Sequence, residues 1–376
     1  MIELVGKMGP HDMGGDEAGP IDTVDHGMSH WEKHANAVRM TVSGKKLATL
    51  DEMRRACEDM GARYYELSYF ERLTEALVIV LKEKNYFTEA KFNNKMNDVR
   101  ERFDVPIIAL PEAHDHDGKP IQEDETGEGP NEHQVMNLSI QDLLEENNLI
   151  TANDIRKTIE KFDQDYPNRG QKVVVRAWTD EQFKSQLLED ANLAIEGMGI
   201  DLEHAARLIV VENTDTVHNI IVCTLCSCYP RVLMGQPPTW YKSRSYRSRV
   251  VNDPRSVLSE FGINLPDSIF VRTHDSNADM RYMVLPKRPE GTENWSHSKL
   301  ESIISRDALV GVSIPNIEDY KYSGPRPFSK ETALVMMCDS VEAATKSLEN
   351  PDSEKINSFV ETIIDKQIEN NQFENC

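Results

Sequence analysis

The sequence predicts an α+β protein in which a helical front half and a strand-bearing rear half are joined by an acidic stretch. Three observations carry that expectation. Leu73, Leu77, Val80 and Leu81 recur at spacings of three and four, which puts them on one helical face. Leu208-Ile209-Val210-Val211 and Asn219-Ile220-Ile221-Val222 are short apolar runs of strand type. Between the halves, residues 104–146 hold Pro106, Pro111, His114-Asp115-His116-Asp117-Gly118 and the run from Glu123 to Pro130, too polar to bury a core and expected to be a solvated tether.

Composition narrows the function. With 376 residues the chain can hold two or more domains with proper cores. Its 42 basic and 64 acidic residues give a net charge of −22, which argues against nucleic acid and against anionic membrane surfaces as partners. No apolar run approaches the length of a membrane span, and Met1-Ile2-Glu3-Leu4 lacks signal-peptide character. Six cysteines without a paired pattern suit a reducing compartment, so a cytoplasmic location is expected.

In chain order, Gly9-Pro10-His11-Asp12-Met13-Gly14-Gly15 and Gly19-Pro20-Ile21 are loop material. His11 and Asp12 are of metal-ligating type, but a surface loop is the expected reading. Trp31 starts a helical pattern, and Thr49 with Glu52 forms a capping box for the next helix, whose Arg54-Arg55 reads as a solvated face. Beyond the tether, Thr151-Ala152-Asn153-Asp154 begins a helix. Lys172-Val173-Val174-Val175-Arg176 looks strand-like, and Asp180 to Gly197 reads as one helix with Phe183, Leu187, Leu188, Ala191 and Ala194 inward. A helix through Pro254 to Leu258 closes at Phe261-Gly262, and Phe270-Val271-Arg272 and Arg281 to Leu285 read as strands.

The chemistry concentrates at the end of the second strand, in Val222-Cys223-Thr224-Leu225-Cys226-Ser227-Cys228-Tyr229-Pro230. Thiols this close bridge one another only under strain. As thiolates they can converge on one metal ion, and the amides of Ser227 and Cys228 come under the same ion. Deprotonated amides are strong-field donors and favour a low-spin trivalent ion. A structural zinc site would want a fourth protein ligand, and Cys57, Cys338 and Cys376 are scattered; three buried free cysteines are the other plain alternative.

The segment Val211-Glu212-Asn213-Thr214, Val217-His218-Asn219 and Val222 to Pro230 closely resembles the metal-binding segment of the nitrile hydratase and thiocyanate hydrolase family, a likeness running from about Leu149 to Pro315 and including Trp295 and Arg306-Asp307. The front, with His11-Asp12-Met13-Gly14-Gly15, Trp31-Glu32, Asp51-Glu52-Met53-Arg54 and Tyr69-Phe70-Glu71-Arg72, resembles the amino-terminal half of that family's smaller subunit; Phe70 departs from the usual second tyrosine. The resemblance implies a helical N-terminal domain (1–103) packed on a layered α-β-β-α metal domain (147–315), with the tether 104–146 between them. Residues 316–376, including Gly324-Pro325-Arg326-Pro327 and the run from Lys330 to Ala344, resemble the C-terminal helices of HD-type phosphohydrolases. Asp339 matches that superfamily's last metal aspartate, but its other ligands have no counterpart, so a helical tail without activity is expected.

The resemblance also implies roles. Cys223, Cys226 and Cys228, with the backbone nitrogens of Ser227 and Cys228, would hold one Co(III) per chain, or Fe(III), and leave one position open. Thr224 resembles the cobalt-type members. Cys226 and Cys228 would become sulfinate and sulfenate, Arg54 and Arg55 would bond those oxidised sulfurs, and Tyr69 would line the pocket. The activity implied is hydration of a nitrile to an amide, by hydroxide at the ion or by the Cys228 sulfenate. Arg231 and Gln236 resemble thiocyanate hydrolases instead, while Pro237-Pro238 and Ser248-Arg249-Val250-Val251 lie nearer nitrile hydratases. A non-catalytic metal-binding or redox-sensing protein is the reading from another class. Arg281 is expected to make a structural salt bridge. The smaller subunit's β-barrel has no counterpart here, so a separate barrel subunit, an oligomer and a metallochaperone or activator are the implied partners.

Overall fold

Three helices of the front half begin on the same device, an N-cap whose amide is taken by the glutamate three residues on. They are α1 (His30–Gly44), α2 (Leu50–Glu58) and α4 (Tyr69–Glu83), with the short α3 (Arg63–Glu66) before the last. Ser29, Thr49 and Ser68 donate their amides to Glu32, Glu52 and Glu71 at 2.8, 2.7 and 2.7 Å, which satisfies an otherwise orphaned donor at each start. α5 (Glu89–Phe103) follows. The computed structural model describes residues 9–103, 130–164, 168–202, 206–315, 327, 329–345, 353–369 and 373; the acidic part of the tether, 104–129, lies outside them.

The tether's last portion is not a tether. Residues Glu132–Glu146 form α6, capped by the Asn131 side chain, which accepts from the Gln134 amide at 2.8 Å. Ile140, Leu143 and Leu144 of α6 and Ile155 of α7 (Ala152–Gln164) are buried with Val38 and Val42 of α1, Leu77 and Leu81 of α4 and Val99 of α5 in one core. Each such full burial contributes about 1.5–3 kcal/mol, which outweighs the acidic neighbourhood that made the stretch read as polar. His133 of α6 adds a polar tie, 2.9 Å from Glu75 and 3.4 Å from Glu71 on α4.

The rear core is built around α8 (Arg169–Thr179), which the valine run had suggested would be a strand. Val173, Val174 and Val175 are all buried; enclosure by neighbours on several sides overrides the β-propensity of the run. Gly170 lets α8 approach so closely that a Cβ there would stand 2.6 Å from Leu309 and 3.0 Å from the Leu233 carbonyl. The single helix expected from Asp180 is two, α9 (Glu181–Glu189) and α10 (Ala191–Glu196), because Asp180 and Asp190 each cap a new start, accepting from the Phe183 and Leu193 amides at 2.9 and 3.1 Å.

β1 (Arg207–Glu212) and β2 (Val217–Val222) then appear, followed by α11 (Arg231–Met234), α12 (Thr239–Lys242), α13 (Arg244–Arg249) and α14 (Pro254–Glu260). β3 (Phe270–Asp275) pairs in parallel with β2, and β4 (Met280–Leu285) in parallel with β1. α15 (His297–Ser302) and α16 (Arg306–Val310) complete the unit. After α16, Gly311 adopts φ +92°, and a Cβ there would lie 2.1 Å from the Asn219 carbonyl, so only glycine fits beside β2. The architecture is the mixed α+β arrangement expected, with two small parallel sheets.

Residues Ile317–Cys376 form a second unit. Within it α17 (Lys330–Thr345) pairs with α18 (Ser353–Glu369), where Gln367 donates to Ser340 at 2.9 Å. Asp339 is exposed on α17.

Candidate metal centre

Parallel pairing brings the C-terminal ends of β2 and β3 together, Val222 opposite Asp275. The cysteine loop therefore leaves β2 beside a carboxylate. Asp275 accepts from the Thr224 amide at 3.0 Å and its hydroxyl at 2.5 Å, and the Ser276 amide donates to the Val222 carbonyl at 2.7 Å. On the other side stands Arg247 of α13, only 1% exposed. It donates to the carbonyls of Cys223, Thr224 and His11 at 3.1, 2.8 and 3.0 Å. Tyr241 holds the Cys228 carbonyl at 2.8 Å and Tyr246 the Ile221 carbonyl at 2.6 Å.

So pinned, the loop turns its sulfurs to a common point. Cys223 and Cys226 Sγ are 3.5 Å apart, Cys226 and Cys228 Sγ 3.2 Å, and all three lie within 4.8 Å of one another. They are the only such group of possible metal ligands among the described residues. Two sulfurs bound at about 2.3 Å to one ion are about 3.3 Å apart across a right angle and about 3.8 Å apart across a tetrahedral one. The Cys226–Cys228 spacing matches the right angle and the Cys223–Cys226 spacing lies midway between the two, so both are short enough for the sulfurs to share one ion.

The charges also call for a cation. Contacts from Cys223 and Cys228 hold the Cys226 thiol well below its usual range, with Arg54 adding attraction against the cost of burial. The Cys223 thiol is pushed well up by the other two sulfurs and by burial. Cys228 is pushed up to about 11: its contact with Cys223 works against the rise, and the Cys226 thiolate together with burial outweighs it. These shifts favour one thiolate, at Cys226; ionising all three sulfurs in this space would require a positive ion among them, and the donor set fits one.

The front helices reach this point through two residues. Arg54 of α2 donates to Cys228 Sγ at 3.1 Å and to Asp51 at 3.3 Å. Burial alone would lower its pKa, but the sulfurs of Cys228 and Cys226 raise it. The Tyr69 hydroxyl lies 2.6 Å from Ser227 Oγ. Arg55 is not brought to the sulfurs. One residue along a helix turns the side chain by about 100°, and Arg55 pairs instead with Glu83 and, at 3.1 Å, with Asp59 at the exposed face.

Sulfurs and helices line an open cavity of about 520 Å³. Its apolar lining includes Leu50, Met53, Leu73, Leu208 and Leu225; Tyr69 and Arg231 also line it, and Gln236 does not, offering its carbonyl to Arg306 at 3.4 Å. Arg281 lines the cavity and donates to the Met280 carbonyl at 3.2 Å, with no ion pair among the described residues, so the expected salt bridge is absent there. His11 is no surface residue: it is 6% exposed, with Nε2 3.5 Å from Glu58. Arg247, Asp275 and Arg39 were not singled out for the site from sequence. Arg247 stands in a basic run that reads as an exposed face, and the one local signal for Asp275 is its place at a strand end.

The family model "Nitrile hydratase, alpha chain" matches residues 131–313, and "Nitrile hydratase beta subunit, N-terminal" matches residues 8–126. The low-molecular weight cobalt-containing nitrile hydratase subunit alpha of Rhodococcus rhodochrous is 50% identical over 149 residues, 40% of this chain and 72% of that protein. The thiocyanate hydrolase subunit gamma of Thiobacillus thioparus is 36% identical over 193 residues, covering 48% of this chain and 79% of its own length. A solved double mutant of the Fe-type nitrile hydratase from Comamonas testosteroni Ni1 matches with TM-score 0.47 and 41% identity over 50% of this chain and 92% of that one. A separate match of 59 residues, 16% of this chain, is 44% identical to the cyclic-di-AMP phosphodiesterase PgpH of Bacillus subtilis, of which it covers 8%. Among the described residues no helix is long and apolar enough to cross a membrane. The two family-model matches and the 50% identical relative show that the chain belongs to the nitrile hydratase family, carrying a beta-type amino-terminal segment and an alpha-type segment in one polypeptide.

Proposed function

We propose that the chain is a nitrile hydratase-type hydro-lyase that converts a nitrile to its amide at one cobalt ion held by Cys223, Cys226, Cys228 and the backbone nitrogens of Ser227 and Cys228. The observation that carries this reading is the convergence of the three sulfurs, with Cys223 and Cys226 3.5 Å apart and Cys226 and Cys228 3.2 Å apart, beside a cavity on whose wall Arg54 and Tyr69 stand. Cobalt is favoured by Thr224 and by the 50% identical cobalt-containing relative; iron is the alternative. When bound, the trivalent ion supplies Lewis acidity toward the nitrile nitrogen.

The protein's own groups do the rest. Asp275, Arg247 and Tyr241 keep the loop in the shape that aims its sulfurs. Arg54 offers a donor to the oxygen that Cys228 would carry as sulfenate, and the same guanidinium balances the charge of the sulfur cluster. Tyr69, fixed by Ser227, presents a hydroxyl to a substrate in the cavity, and the leucines around it offer apolar surface to its carbon chain. The front segment (1–103) and the rear segment (147–315) thus act as two subunits carried on one chain. A separate barrel subunit, an oligomeric assembly in the cytoplasm and a metal-delivering activator complete the proposal.

A specific observation favours thiocyanate as a second substrate reading: Arg231 places a guanidinium in the cavity wall. The test is amide release from a simple nitrile by cobalt-loaded protein, beside mass spectrometry of the cysteine peptide. Two added oxygens on Cys226 and one on Cys228, with about one cobalt per chain, are expected; zinc with unmodified thiols would overturn the reading.

A further inference from the structure

The cavity is far more cationic than the protein around it. Arg39, Arg54, Arg72, Arg231, Arg247 and Arg281 line it against one carboxylate among the described residues, Glu58, in a chain of net charge −22. Four of the six have tasks. Arg54 bonds Cys228, Arg247 holds three carbonyls, Arg281 holds the Met280 carbonyl, and Arg72 donates to the Tyr64 carbonyl at 3.0 Å while lying 4.3 Å over the Tyr64 ring.

Arg39 and Arg231 hold no carbonyl or sulfur among the described residues. Among the described residues neither has a carboxylate within ion-pair distance. Arg39 Nη2 donates to Asn36 at 2.8 Å, but its Nε is buried with no hydrogen-bond partner. Burial and then the repulsion of Arg231 lower the Arg39 pKa to about 10. Arg231 likewise presses on Lys242. Two like charges in a partly dry wall are costly unless an anion joins them, and guanidinium forks match a carboxylate by geometry. Size selects among anions. About 520 Å³ with leucine and methionine walls is the volume of a pocket for an organic molecule, well beyond a three-atom ion.

We propose that the substrate carries a carboxylate as well as a nitrile, and that Arg39 and Arg231 hold the carboxylate while the nitrile end faces the sulfurs. This rests on the hydration reading above and narrows it to an amphipathic anion. The apolar walls take the carbon chain between the two ends, and the cationic lining raises the local concentration of anions in a protein that otherwise repels them.

The test compares valeronitrile, cyanovalerate and thiocyanate as substrates of the cobalt-loaded protein. Cyanovalerate is expected to exceed valeronitrile in kcat/KM by about ten- to a hundredfold. Arg39→Gln and Arg231→Gln are each expected to cut that ratio about tenfold, while Arg39→Lys, which keeps the charge, retains part of it. Equal use of the two nitriles, or turnover of thiocyanate alone, overturns the proposal. A second measurement separates this from failure of the hydration reading: calorimetric titration of valerate into the metal-free protein. If no nitrile is hydrated but valerate binds and Arg231→Gln abolishes the binding, the anion site stands and the hydration reading falls. If valerate does not bind, the anion site is overturned whatever the nitrile activity.

Discussion

Arg54 Nη2 lies 3.1 Å from Cys228 Sγ, so a helix near the start of the chain completes a centre formed 174 positions later. Its neighbour Arg55, one residue on, faces Glu83 and Asp59 instead. The pair makes an internal control. Arg54→Leu is expected to lower kcat/KM by roughly a hundred- to a thousandfold, the loss typical of a donor aimed at a reacting centre. Arg55→Leu is expected to stay within about twofold, since exposed ion pairs contribute about 0–1 kcal/mol. Steady-state kinetics on both, with cobalt content measured alongside, check the contrast.

Arg247 is a support rather than a participant. Its guanidinium satisfies the carbonyls of Cys223, Thr224 and His11, and Arg247→Met leaves all three without that donor. A destabilisation of roughly 3–5 kcal/mol is expected. Urea unfolding reads the stability, and metal retention should fall with it.

Tyr69→Phe removes one hydroxyl, 2.6 Å from Ser227 Oγ, and keeps the ring. Activity should fall about tenfold, the value of one good hydrogen bond, with cobalt content unchanged. A loss of metal as large as the loss of activity would show that Tyr69 serves the loop and not the substrate.

Lys242 gives a pH signature. Its ammonium lies 5.1 Å over the Tyr69 ring and 4.9 Å over that of Phe70. Burial first, then Arg231, lower its pKa from 10.5 to about 8. Between those two values the unfolded chain still holds the proton that the folded chain has released. Stability from this group therefore rises with pH through that window and is least below about 8. Lys242→Met should flatten that part of the stability profile in thermal melts taken from neutral to alkaline pH.

Local features were legible in the sequence and assembled ones were not. Cys223, Cys226 and Cys228 lie within six residues, so a shared metal site is legible as a candidate from spacing, while the loop shape that aims the sulfurs depends on Asp275, Arg247 and Tyr241. Thr49 with Glu52 announces α2 for the same reason. Val173-Val174-Val175 misleads because propensity reports the preference of an isolated segment, and α8 is decided by what surrounds it. Asp275 reaches Thr224 only through the pairing of β2 with β3, a contact spanning 51 positions that no local pattern encodes. Arg39 is hidden in the same way: within α1 it is one polar residue among several, and its charge becomes costly only through burial, to which Arg231 adds repulsion.

The shared core of α6 and α7 with α1, α4 and α5 has a consequence for the chain's integrity. Those two helices follow the acidic stretch, yet they close the apolar face of helices that precede it. Protease nicking between 104 and 129 would therefore yield a fragment pair that travels together on a sizing column, and co-expression of the two pieces would reconstitute the whole. Loss of either fragment from the complex on the column would show that the covalent join, and not the shared core alone, holds those helices together.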